Sequence, residues 1–290
     1  MQKIIYVPPG GSYDDAQTRV VLAAEDPYIL SEIKGVGGVE SSIISSDVLG
    51  KSGSVYQGFK KKPRVIGCTV YVHGSNRKDM YRKRCSLIGL LKPMNQPGTA
   101  YYQNDYISVR IPAVPQLPPD FVKRIKNYNQ ADLSLWCPDP NWLSVETKTQ
   151  SVGAVDGVGF TLPFQFPISF AHMKNRITVN NFGTTTTPVV ITITGPGKNP
   201  AVTNLTNGKK IALERKNLGA DEQLIINTEK GNKSVQLRKN GSITDAFDYI
   251  DPASEFWELE VGKNEIVYSS DDNAAATRIT VTYTERYEGV

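Results

Sequence analysis

Histidine and cysteine are scarce in this chain, which holds two of the first and three of the second in 290 residues. His73, His172, Cys68, Cys85 and Cys137 lack the short paired spacings of a structural zinc site, so no Cys/His framework can be written and no cofactor is expected. The unpaired thiols point to folding in a reducing cytoplasm. Cys68 and Cys137 fall within apolar, strand-like runs and are expected to be small core residues. Long apolar runs are missing too. None approaches the roughly 20 residues of a membrane-spanning helix, and MQKIIYVPPGG has only four apolar residues before its Pro-Pro-Gly-Gly, short of the apolar core of a secretory signal. A soluble chain with no membrane partner is the expectation. Charge of one sign is also lacking: 33 basic against 29 acidic residues leave +4, too weak a bias to predict nucleic-acid binding.

Catalytic motifs are absent in the same way. There is no Gly-x-Ser-x-Gly and no local Cys-His signature, and His73 and His172 read as polar residues at strand ends rather than as a general base. Asp248, Asp251, Glu255 and Glu258 are dense enough to suggest a glycosidase pair. Yet AFDYIDPASEFWELEVGKN reads as a turn followed by alternation that buries Trp257 and Leu259. GVGG, Gly35 to Gly38, lacks the Lys-Ser/Thr that completes a phosphate-binding loop. An enzyme is not expected.

Strands and turns are what the chain has. In PRVIGCTVYVHG, Ile66, Cys68, Val70 and Val72 alternate with Val65, Thr69 and Tyr71, a pattern too apolar to have a wholly wet face. RKDMYRKRCSLIGLLKP changes period: Met80, Tyr81, Leu87, Ile88 and Leu91 gather at helical spacing until Pro93 stops the run. Arg84 projects into that apolar arc, where it either meets a carboxylate or a partner chain, or packs its stem and sends its head to water. Arg77, Lys78, Arg82 and Lys83 make the rest of that helix basic, and Lys60-Lys61-Lys62-Pro63-Arg64 is a second basic run. Strand patterns resume at Ile107, Val109 and Ile111 and at Leu133, Leu135 and Cys137. CPDPNW and the polar SVETKTQSVGAVDGVG then place a domain boundary near 143–158, giving domains of 1–148 and 149–290. Beyond it, Val189, Ile191 and Ile193, Leu224 and Ile226, Val235 and Leu237, and Ile279, Val281 and Tyr283 alternate between turn signals. Asn207-Gly208 and Asn240-Gly241 favour two-residue hairpin turns. The chain is expected to be mainly β, with a β-sandwich or jelly roll as its second half.

Laid out in order, YQGFKKKPRVIGCTVYVHG, KDMYRKRCSLIGLLKP and LSLWCPDPNW, then NNFGTTTTPVVITITGP, NPAVTNLTNGKKIAL, TEKGNKSV, SEFWELEVGKNEIVY and TYTERYEGV resemble the distal tail protein family of siphophages. The likeness spans most of the length. It implies an N-terminal β-sandwich with one α-helix that forms a ring, and a C-terminal galectin-like β-sandwich. It also implies a structural protein of the distal virion tail, made in the bacterial host cytoplasm. As a homo-hexamer it would be a hub between the tail tube protein and a tail-associated lysin or a tail-fibre or receptor-binding protein, with the tape measure protein and DNA passing through its lumen. Lys60, Lys61, Lys62, Arg64, Arg82 and Arg84 are the candidate interface residues. The alternative is a carbohydrate-binding module contacting the host cell wall through Trp257, Tyr249 and Tyr268.

Overall fold

The computed structural model describes residues 1–50, 52–152, 176–214, 217–271 and 277–290; His172 and residues 153–158 of the expected boundary lie outside them. Two compact units result, Met1–Val145 with Tyr287–Val290, and Glu146–Arg286. The chain therefore leaves the first unit, builds the second, and returns for its last four residues.

The first unit contains β1 (Lys3–Val7), β2 (Val20–Leu22), β3 (Tyr28–Lys34), β4 (Ser41–Asp47), β5 (Ser54–Lys61), β6 (Arg64–His73), α1 (Arg77–Leu90), β7 (Gly98–Gln103), β8 (Ser108–Ile125), β9 (Tyr128–Cys137) and β10 (Trp142–Ser144). Seven strands form one path, β2-β1-β7-β8-β9-β6-β3. The path folds over on itself through β8, which pairs with β7 up to Ala113 and with β9 from Val114 onward. Pro112, Pro115, Pro118 and Pro119 sit in this strand. Proline cannot donate to a ladder, and two of the strand's register shifts fall between Pro115 and Asp120, where it bends. The two ends of the path meet at the bridge Ala23↔Ile29, so the strands wrap a single core.

That core takes the inward residues of each strand, including Ile66, Cys68, Val70 and Val72 of β6, Val109, Ile111 and Ala113 of β8, and Leu133, Leu135 and Cys137 of β9. Burial pushes the thiols of Cys68 and Cys137 up to about 12, so they stay protonated and inert at neutral pH. The helix starts at Asn76, whose side chain accepts from the Asp79 backbone N–H at 2.9 Å. It buries Met80 and Leu87, with Leu91 just beyond its end, while Tyr81 and Ile88 are exposed. Each of those two follows a buried residue by one position, about 100° around the axis, and so falls off the narrow seam.

The second unit contains β11 (Lys148–Val152), β12 (Arg176–Asn181), β13 (Thr187–Thr194), β14 (Gly197–Lys198), β15 (Ala201–Asn204), β16 (Lys209–Ala212), β17 (Asn217–Leu218), β18 (Glu222–Asn227), β19 (Ser234–Lys239), β20 (Ser242–Asp245), β21 (Glu258–Leu259), β22 (Gly262–Ser269) and β23 (Arg278–Tyr283). One sheet runs β11-β23-β13-β18-β19-β20 and another β12-β22-β15-β16. Val189, Ile191, Ile193, Leu224, Ile226 and Val281 of the first share a core with Val179, Val202, Ile211 and Ile266 of the second, which is a β-sandwich. Trp257 and Leu259 are buried in it. Asn240 and Gly241 take φ of 49° and 79° and join β19 to β20 as a two-residue turn. Asn207-Gly208 instead closes a four-residue loop. The pairing Asn204↔Lys209 fixes that length, and the side chains of Asn204 and Asn207 accept from the backbone N–H groups of Thr206 and Lys209.

Candidate assembly site

The hairpin of β4 and β5 is a two-stranded sheet with no third strand, and most of its positions are exposed. Gly50 and Gly53 hold φ of 81° and 82° in its turn, and a bulge between Ile44 and Ser45 shifts its register. Ile43 lies opposite Phe59, and Tyr56 opposite Ser45, so Ile43, Phe59 and Tyr56 share one face. They are 64%, 56% and 61% exposed. Ile44 and Val55 occupy the other face and Val48 and Leu49 the tip, all exposed. An isolated two-stranded hairpin is marginal in water, and one apolar on both faces leaves a surface that association would cover. The charges of its strands sit at the ends: Asp47 near the tip, and Lys60 and Lys61 at the root.

The root is tied down. Lys61 pairs with Glu288, and Lys62 with Glu40 at 2.6 Å. Arg64 is 2% exposed and donates to the carbonyl oxygens of Gly35, Gly37, Pro140 and Glu288, with its guanidinium 5.4 Å from the Trp142 ring centroid. Burial lowers its pKa from the ordinary arginine value without discharging it.

Of the residues expected at an interface, Lys60 is exposed at the arm's root, and Lys61 and Lys62 are engaged there in ion pairs. Arg64 requires a correction: it is interior, and a surface contact is closed to it. It stands at the start of β6, with two residues between it and the basic end of β5, which explains the misreading. Arg82 pairs with Asp79 at 2.6 Å, and Lys83 with the same carboxylate at 2.9 Å. Lys83, the backbone N–H of Ser75 and Arg82 hold the Asp79 carboxyl well below the usual carboxylate range. Arg84 is partly buried. Its guanidinium lies 4.0 Å from the Phe121 ring centroid and 5.3 Å from that of Tyr81, stacked on aromatics, with no carboxylate paired to it among the described residues. The arm itself was missed by periodicity, because a strand wet on both faces has no alternation to read.

The aromatics of the carbohydrate reading fare poorly as a binding platform. Trp257 and Tyr268 are 1% and 4% exposed, and Tyr249 packs against the same core. Among the acidic residues of that stretch, Asp251 accepts from the Ala253 N–H and Glu258 from the Thr186 hydroxyl, with Lys230 at 3.3 Å. His73 places Nδ1 2.8 Å from both Asp26 oxygens and stacks on Tyr128, an orienting contact at a strand end. Among the described residues no three His, Cys, Asp or Glu side chains gather as a metal site. A groove of ≈ 530 Å³ lies on the outer face of β3, β6 and β9, lined by polar groups including Glu32, Lys34, Thr69 and Asp132. Thr69 donates to Asp132 at 2.7 Å and Lys34 pairs with Glu32 at 3.0 Å, so these groups are already engaged.

Residues 17–137 match the model of the phage tail protein RIFT-related domain, and residues 182–287 that of the siphovirus-type tail component, C-terminal domain. The crystal structure of SPP1 Dit, described as a paradigm of hub adsorption apparatus in phages infecting Gram-positive bacteria, is 13% identical over 99% of both chains with a TM-score of 0.67. The baseplate of phage P2 in its activated, Ca-bound conformation aligns at 13% identity over 100% of this chain and 99% of that one, with a TM-score of 0.47. No curated protein sequence matches.

Proposed function

We propose that this chain, which belongs to the distal tail protein family of siphovirus-type phage tails, assembles six copies into a ring that joins the tail tube to the host-adsorption apparatus. The observation that carries the proposal is the arm formed by β4 and β5. A ring needs two different surfaces on each subunit, because its contacts run head to tail. The arm supplies the first: Ile43, Tyr56 and Phe59 on one face and Ile44 and Val55 on the other are left uncovered by their own chain and fit a second copy. The two stiff β units suit a connector whose loops carry contacts without reactive groups. In this reading the tube protein docks on one side of the ring, and a lysin-bearing or receptor-binding tail protein on the other. The tape measure protein and DNA pass through the lumen.

Native mass spectrometry of the purified chain, and electron cryomicroscopy of tails that contain it, test the proposal. Six-fold rings are the expected result. A strict monomer, in solution and within the tail alike, overturns it.

A further inference from the structure

We propose that the segment Tyr287–Val290 is a clamp that fixes the arm at both of its roots, so that the arm is set for assembly by a distant segment of its own unit. The role of the arm in the ring rests on the function proposed above; the clamping of the arm does not. On the entry side of the arm, the Val290 N–H donates to the Val36 carbonyl at 3.1 Å. Gly289 lies so close to the same loop that a Cβ built on it would stand 2.6 Å from the Gly37 carbonyl carbon and 2.9 Å from the Gly38 nitrogen. On the exit side, the Glu288 carboxylate pairs with Lys61 while its carbonyl accepts from Arg64 Nη2 at 2.5 Å. Arg64 also holds the carbonyls of Gly35 and Gly37, and Trp142 Nε1 donates to Val36 at 3.1 Å. One buried guanidinium thus ties together the loop that leads into the arm, the strand that leads out of it, and the tail.

The lengths of chain involved leave the arm little freedom. Only Val39 and Glu40 separate Gly38 from Ser41, and only Lys62 and Pro63 separate Lys61 from Arg64. Lys62 N–H to Glu40 carbonyl, 2.9 Å, and the ion pair of the same residues lace the two roots to each other. The clamp begins four positions after Tyr283, the last residue of β23, and the stem between them is anchored within the second unit by Glu285 to Lys148 at 2.7 Å and Arg286 to Glu229 at 2.5 Å. The loop of Gly35 to Gly38, which has no phosphate-binding context, is thus the floor on which the tail rests, and it is Gly289 that lets the tail backbone lie directly on the loop backbone.

The experiment compares Gly289→Ala with Gly37→Ala and Gly38→Ala in the full chain. The two controls place a methyl group in open space, whereas Gly289→Ala forces the tail off the loop. Hydrogen exchange is measured first on dilute, unassembled chain. Gly289→Ala is expected to speed exchange across Val36–Lys62 by about tenfold or more, with β6 and β9 unchanged and both controls like the parent. Ring formation, read by native mass spectrometry, is then expected to need about tenfold more protein in Gly289→Ala alone. Parent-like exchange in the arm of Gly289→Ala, or equal exchange in all three variants, overturns the clamp. A parent chain that forms no ring sinks the proposed function, and the exchange data still decide the clamp. Should Gly289→Ala fail to fold, Glu288→Lys decides by the same measurement, since it sets like charges against Lys61; exchange there unaltered from the parent overturns the proposal.

Discussion

Two hairpins in this chain are built from similar parts and treated in opposite ways. The hairpin of β19 and β20 turns at Asn240-Gly241 and ends a six-strand path, with Val235 packed in the sandwich core. Its outer strand, Ser242–Asp245, is short, carries one apolar side chain, Ile243, and ends in a charge. These are the devices that keep an edge strand from pairing with other chains. The hairpin of β4 and β5 is longer, has no sheet to lean on, and carries apolar side chains on both faces. Its charges sit at its ends instead of along it. In the assembly proposed above, an edge is blunted where pairing would be harmful and left open where pairing is the purpose, and the difference in composition marks which of the two hairpins would meet another molecule.

The comparison breaks most sharply under stability measurement. Leu224→Ala opens a cavity beside β19 in a fully buried site, and should cost about 2–5 kcal/mol of the second unit's stability in denaturant unfolding. The exposed Phe59 should lie at the other extreme. Phe59→Asp is expected to change stability by less than about 0.5 kcal/mol, yet to weaken ring association by about 2 kcal/mol or more, some 30-fold, as the loss of an interface anchor does. Ile243→Asp, the matching change on the blunted hairpin, should leave association at the parent value. Equal losses from Phe59→Asp and Ile243→Asp would erase the distinction between the hairpins.

A milder test uses one substitution twice. Gly241 and Gly53 both hold positive φ with no atom near the missing Cβ, at 79° and 82°. An alanine at either site is strained by its backbone alone, by about 1 kcal/mol. Gly241→Ala should appear in global unfolding, because its hairpin belongs to the sandwich. Gly53→Ala should not appear there, and should appear instead as a weaker ring. Thermal unfolding of the two variants, run beside native mass spectrometry, separates these outcomes.

How much of this was legible in the sequence depends on what each residue faces. Ile66 to Val72, Leu133 to Cys137, Val189 to Ile193 and the buried Trp257 were readable because a strand with one face in a core writes its period into the chain. The second half of β8 was not: Pro115, Pro118 and Pro119 argue against a strand, and only tertiary pairing with β9 overrides them. The arm was not legible, since neither of its strands turns a face to a core and so neither writes an alternation into the chain. Arg64 looked like the end of a basic surface run. Nothing local distinguishes it from Lys60 to Lys62, because the carbonyls it satisfies come from residues 35, 37, 140 and 288.

Arg84 gives the smallest expected effect, and tests whether the arm is special or merely one exposed apolar surface among several. Tyr81 and Ile88 on α1 are also exposed, as is Val122 beyond Phe121 on β8. On that surface, however, the chain supplies its own cover: the Arg84 guanidinium lies over the rings of Phe121 and Tyr81, and Arg124 donates to the Tyr81 hydroxyl at 3.0 Å. A cation on an aromatic face at a half-exposed site contributes roughly 0.5–1 kcal/mol. Arg84→Met keeps the packing volume and removes the charge, and should cost the first unit about that much in denaturant unfolding. A cost of about 3–5 kcal/mol would instead mean that a buried carboxylate had lost its partner, which the stacked geometry does not provide for. The same variant measured by native mass spectrometry extends the contrast: a parent-like ring is expected, because this apolar surface is covered from within, whereas Phe59 has only another molecule to cover it. A ring weakened as much by Arg84→Met as by Phe59→Asp would move the assembly surface from the arm to the helix.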